Sequence, residues 1–213
     1  METGKLELKD LFVGERLCLD FINTACRRRE EELEFLGTVE EAEKWLQYAE
    51  GVHNKPLYNA GVWQGEDSGK SLSQAIRLRI ALRELVLAVI EKRSAPVSAI
   101  EAVNTVLQSS PTYCQLTLAP DGYRESVHAK DTDSMWLASI AADAVGLLCR
   151  SDLTLLRQCE HPTCVRIFYD TTKNHRRRWC VEKCGSHKKA AAYYRRKVAK
   201  NRLEKGRNET KRS

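Results

Sequence analysis

Nowhere in this chain of 213 residues do 18 apolar residues run together, so no segment is expected to cross a membrane as a helix. The best candidate, WLASIAADAVGLL, is short and carries Asp143, which fits a buried helix instead. The opening METGKLELKD has no apolar stretch of the kind a secretory signal needs, so a cytoplasmic location is expected. There is no glycine-rich phosphate loop, no Ser/His/Asp spacing and no HExxH. Nothing argues for catalysis, and no enzyme is expected. Internal repeats and low-complexity blocks are missing too. The length suits one well-buried domain plus a small module.

Negative charge is scarce where positive charge is dense. Residues 150–213 carry 19 Lys and Arg against 6 Asp and Glu, while residues 1–149 carry 16 against 23, for a net charge of +6. From His187 to Arg202 there are seven Lys and Arg and no acidic residue. A merely soluble helix interleaves Glu with Lys to gain side-chain pairs, whereas a run of one sign repels itself unless an anion neutralises it. A mildly acidic body with a basic C-terminal module therefore points to a polyanionic partner.

The eight cysteines divide in the same way. Cys18, Cys26, Cys114 and Cys149 stand singly among apolar residues and read as core thiols. The other four follow the spacing Cys159-x4-Cys164, fifteen residues, then Cys180-x3-Cys184. In a reducing compartment such pairs suggest metal ligation or redox chemistry before disulfides. Neither pair is the Cys-x-x-Cys of a redox dithiol, and the spacing matches neither common ferredoxin pattern. One structural zinc held by Cys159, Cys164, Cys180 and Cys184 is the expectation. His161, His175 and His187 lie nearby as competing ligands, but four thiolates already complete a tetrahedral site. VRIFYD alternates like a strand, TTKNH reads as a turn, and a helix is expected from Ser186 as N-cap. Strand, turn, cysteine pair and helix are the order of a zinc knuckle or treble-clef-like finger. One of Arg176, Arg177 and Arg178 is a candidate to compensate the sulfur charge.

Along the first 150 residues, helical patterns alternate with one hairpin. A short strand followed by a helix from near Leu17 is expected, with Asp20, Asn23 and Arg27–Arg29 as a polar cluster on that helix. Asp20, Asn23 and Arg27 are a candidate ligand pocket, although a buried hydrogen-bond network or a solvated face accounts for them equally. Thr38 and Glu41 have the spacing of a capping box, and Val39, Ala42, Trp45, Leu46 and Ala49 follow as an apolar stripe. Residues 51–70 read as a loop and candidate lid. A long helix over 72–92 should bury Ala75, Ile76, Ile80, Leu82, Leu85, Val86, Val89 and Ile90, with Arg79 outward. Helices near 94–110 and 131–149 flank a hairpin turning at Pro120-Asp121-Gly122. His53 and His128 look isolated. The fold class expected is α+β: a mainly helical domain with a β-hairpin over 1–150, a small zinc-bound treble-clef-like finger of hairpin plus helix over 151–201, and a basic tail over 202–213.

The pieces C-x4-C, IFYD, RRWC and CGSHKKAAAYYRR, together with LCLDFINT near the start, resemble the bacterial CGNR zinc-finger proteins, which carry an N-terminal ABATE domain. The resemblance implies a transcription regulator whose finger takes Cys159, Cys164, Cys180 and Cys184 as metal ligands and binds DNA. It departs from that motif where Ser186 and His187 replace Asn and Arg, and the His removes a permanent charge and a bidentate donor. Lys188, Lys189, Arg195 and Arg196, with Lys200, are expected on phosphates, and Arg176, Arg177, Arg178 and His187 are the further candidates for nucleic-acid contact. Double-stranded DNA is the expected partner, with a homodimer and a small-molecule ligand of the N-terminal domain as further candidates. RNA or an acidic protein partner remains the alternative.

Overall fold

The computed structural model describes residues 7–28, 31–55, 57, 68–109, 112–119, 122–129 and 135–186. A 3-10 turn at Leu8–Leu11 leads into α1 (Leu17–Ile22). The hairpin β1 (Ala25–Arg28) and β2 (Glu31–Glu34) follows, then α2 (Val39–His53), α3 (Ser68–Ile90) and α4 (Val97–Ser109). A second hairpin, β3 (Thr112–Ala119) and β4 (Gly122–Ala129), precedes α5 (Met135–Arg150). The short strands β5 (Leu156–Gln158) and β6 (Ile167–Tyr169) pair antiparallel as a third hairpin. The architecture is mainly helical with small two-stranded sheets, as expected. Among the described residues no helix is long and apolar enough to cross a membrane.

All six residues of α1 are buried, including Asp20, because α3, α5 and β6 enclose it. Phe21 sits at the centre, 5.5 Å from the Trp45 ring and 6.1 Å edge-on to Trp136. The expected stripe of α2 packs there, and its capping box is present: Thr38 accepts from Glu41 N while Glu41 reaches back.

Four expectations are not met. The stretch from Leu11 to Arg16 forms no strand, Leu11 instead closing the 3-10 turn Leu8–Leu11. Helix α1 stops at Ile22, so Arg27 lies on β1 opposite Glu32, and Arg28 opposite Glu31. The string CRRREEELE matches charges helically at i,i+4, but it matches them across a hairpin too, and the hairpin wins. In α3 the buried face is rotated: Arg79 is only 5% exposed, while Ile80 is 58% exposed. Arg79 is drawn inward because Glu34 takes both its Nη atoms at 2.5 Å and Thr24 Oγ1 accepts from it at 2.9 Å. Finally, Cys18 and Cys26 are buried thiols, but Cys149 at the end of α5 is exposed. The side chains of Cys114 and His128, and most of the candidate lid over 51–70, lie outside what is described.

Candidate metal centre and its basic surround

The third hairpin builds the first half of the site. Cys159 follows β5 directly, and its N–H donates to Arg166 O at 2.9 Å, extending the ladder by one rung. Cys164 N donates to His161 O at 3.0 Å, which folds the intervening residues into a tight knuckle. The second pair arrives where a helical turn starts, residues 182–186 being helical and Cys184 N donating to Val181 O. Helix therefore begins before Ser186, not at it. Ser186 is inside the turn, where its hydroxyl donates to Glu182 O instead of capping. Gly185 packs on the indole: a Cβ there would sit 3.0 Å from Trp179 Cε3, and the ring would have to give way.

The sulfurs of Cys159, Cys164, Cys180 and Cys184 lie within 4.8 Å of one another, and no other such group occurs among the described residues. Cys180 Sγ is 3.7 Å from both Cys164 Sγ and Cys184 Sγ. A disulfide would need about 2 Å. Tetrahedral zinc with Zn–S of about 2.3 Å places its sulfurs about 3.8 Å apart, so the four thiols fit that ion. Their protons point the same way. Hydrogen bonds from Cys164, Cys180 and Cys184 hold the Cys159 thiol far below its ordinary range, while those with Cys159, Cys164 and Cys184 push Cys180 far above its own. Four thiols this close cannot all ionise without a cation among them. The chain thus carries one four-cysteine zinc site. Zinc here would crosslink the knuckle to the helical turn, with no position left open for substrate.

His161 and His175 do not compete. Thr163 N lies 3.3 Å from His161 Nδ1, and His175 Nδ1 is 3.2 Å from Asp170 O. The arginine run has three separate fates. Arg177 is a staple: it donates to Cys180 O, Trp179 O and Val13 O, pairs with Glu15 at 2.9 Å, and lies 4.5 Å over Phe168. Arg178 forks onto Glu160 with Nε at 2.8 Å and stacks 5.4 Å over Trp179. Arg176 is exposed, without an ion pair among the described residues. The hydrogen bonds of Arg177 and Arg178 go to carbonyls and carboxylates, so the expectation that the run compensates the sulfurs is not met. His187, Lys188, Lys189, Arg195, Arg196 and Lys200 lie outside the described residues.

The pocket candidates are not brought together. Asp20 accepts from Gly14 N at 2.7 Å and lies 2.9 Å from His53 Nε2, so His53 is not isolated. Burial pushes the Asp20 carboxyl up, against the hydrogen bonds from His53 and Gly14 that favour its charged form. Gly14 has to be glycine, since a Cβ would stand 2.6 Å from Leu19 Cβ. Asn23 donates to Ile167 O and accepts from Ile167 N, both at 2.9 Å, pairing with β6 as a strand would. Tyr169 N donates to Gly14 O at 3.0 Å. Arg27 is apart from both, on the surface with Glu32. The motif LCLDFINT is thus the seat of the finger: Ile167 enters the main core, and Asp20 and Asn23 fix the backbone on either side of it. Sequence reasoning passed over Arg166, which is 6% exposed and whose carbonyl accepts from Cys159 N. Only its place in an alternating strand, facing away from Ile167, was legible beforehand.

Residues 15–151 match the ABATE family, described as "Putative stress-induced transcription regulator", and residues 156–197 match the CGNR zinc finger. No curated protein matches the chain.

Proposed function

Given that this chain belongs to the ABATE family over more than half its length and carries a CGNR zinc finger behind that domain, we propose that it is a DNA-binding transcription regulator of the cytoplasm, with no reaction of its own. The observation that carries this is the pairing of a closed four-cysteine centre with a surplus of positive charge too large for zinc to explain. The finger's helical turn at 182–186 runs directly into the seven-cation stretch that holds no acid. Phosphate contacts by Lys188, Lys189, Arg195, Arg196 and Lys200 would supply affinity that falls with salt. Of the three arginines, Arg176 is the one free for a similar contact, because Arg177 and Arg178 are already held. His187 would read a base edge less well than the arginine of the motif. The N-terminal domain would act as sensor or dimerisation unit, a dimer giving two half-sites.

Single-stranded RNA is less well served. Trp179, one of the two aromatics available for stacking, has Gly185 on its ring and Arg178 over it. The test is capture of sheared genomic DNA by zinc-loaded protein at near-physiological salt, followed by sequencing. Enrichment of discrete sites is expected. Uniform recovery, or none, would sink the proposal and turn attention to RNA or an acidic protein partner. Lys189→Ala with Arg196→Ala should lower affinity across all duplexes and flatten the salt dependence.

A further inference from the structure

Zinc with four thiolates carries a net charge of −2, and Cys159 and Cys180 are almost fully buried. Such a charge is costly to bury unless cations stand beside it. Arg177 and Arg178 are engaged elsewhere and Arg176 is exposed, which directs the search for these cations to other places in the fold. Two guanidinium groups qualify. Arg166 follows the knuckle, is 6% exposed, and its Nε is buried without a hydrogen-bond partner. Burial opposes its charge, but Cys180, Cys26 and Cys164 around it outweigh that, Cys26 through a hydrogen bond as well. Arg83 comes from the middle of α3, on the other side of the seam. Its Nη2 donates to Val165 O at 2.9 Å, the carbonyl next to Cys164, and its Nη1 is buried without a partner. The neighbouring charges are otherwise spoken for: Arg79 is paired with Glu34, and Glu84 with Arg93.

We infer that Arg83 and Arg166 are the two positive charges that balance the zinc tetrathiolate, and that Arg83 does so from the N-terminal domain. The metal site is then completed by both halves of the chain, and zinc retention is a property of the whole fold. Arg83 is a positioning residue that touches no metal. It fixes the carbonyl beside one ligand and places a charge near the cluster.

The test measures zinc transfer from the loaded full-length chain to a chromophoric chelator. Losing an outer partner of a metal site typically costs 10–100-fold in metal affinity, so Arg83→Met should release zinc at least about tenfold faster than the native chain. Arg83→Lys keeps the charge and loses the fork, and it should recover most of that difference. Native-like release from Arg83→Met, or release from Arg83→Lys as fast as from Arg83→Met, overturns the proposal. A second comparison separates charge from packing. Cys184→His takes the cluster from −2 to −1, so in that background Arg83→Met should accelerate release by a clearly smaller factor. The same factor in both backgrounds would mean a structural role only, and would overturn the proposal too. If Arg83→Met does not fold, Arg83→Gln serves in both comparisons.

Discussion

The N-terminal core gathers Phe21, Trp45 and Trp136 around a helix buried on every side, whereas the finger's own core is Phe168 between Cys159 and Cys180. Burying one large apolar side chain is worth about 1.5–3 kcal/mol, so Phe168 alone cannot hold some thirty residues in place. Structural zinc contributes about 10–16 kcal/mol in small fingers. One region is thus held by area removed from water and the other by four bonds to an ion. Between them runs a seam of polar contacts made by Gly14, Asn23, Arg83 and Arg177. That seam is where the two kinds of stability meet.

The largest effect expected is from Cys180→Ser. Elemental analysis should fall from one zinc per chain to nearly none, and hydrogen exchange should lose protection over 156–186 while α2 to α5 keep theirs. Retention of zinc and of that protection would show that the finger is not metal-built. Next, Trp45→Ala should lower the urea stability of the N-terminal core by about 3–5 kcal/mol through the cavity it leaves. If the finger is held by its ion, zinc content should be unchanged. Asn23→Ala tests the seam. It strands the N–H and the carbonyl of Ile167 together, each costing about 1–3 kcal/mol when left unpaired. Both the urea midpoint and the zinc release rate should respond, and a change in only one would break the coupling between regions.

Acid should weaken the N-terminal region through specific carboxylates. Burial opposes ionisation of Glu34, but hydrogen bonds from Arg79 and Leu36 outweigh it and leave its carboxyl below the usual range. Asp143 is likewise held low, by Cys18 N against the pull of burial. Depressed folded values mean stability that is complete above the ordinary carboxylate range and lost as pH falls through the folded ones. Glu34→Gln should flatten part of that acid limb in urea titrations at several pH values, with zinc content as the control. The smallest effect is expected for Arg27→Ala. Its pair with Glu32 is exposed, and such pairs contribute about 0–1 kcal/mol, so neither region should register the change in a urea titration.

The four ligands were legible because tetrahedral metal sites leave their mark in spacing. The capping box of α2 and the long second hairpin were legible for a similar reason, each being written in neighbouring residues. What stayed hidden was set by contacts between distant segments. Arg79 reads as a surface residue until Glu34 comes to meet it. Arg166 looks like the polar position of a strand until Cys180 and Cys164 come near it. The Asp20 and Asn23 pair had the composition of a pocket, and only the approach of Gly14 and Ile167 shows what the two side chains hold.

The bond between Asn23 and Ile167 has a consequence in time. It joins positions separated by 144 residues, so during synthesis the seat in α1 emerges long before its occupant. Contacts of such span close late, after the entropy of a long loop has been overcome. The nascent N-terminal domain therefore waits with part of its interior uncovered, and the arrival of β6 together with its metal is the last stitch in the fold.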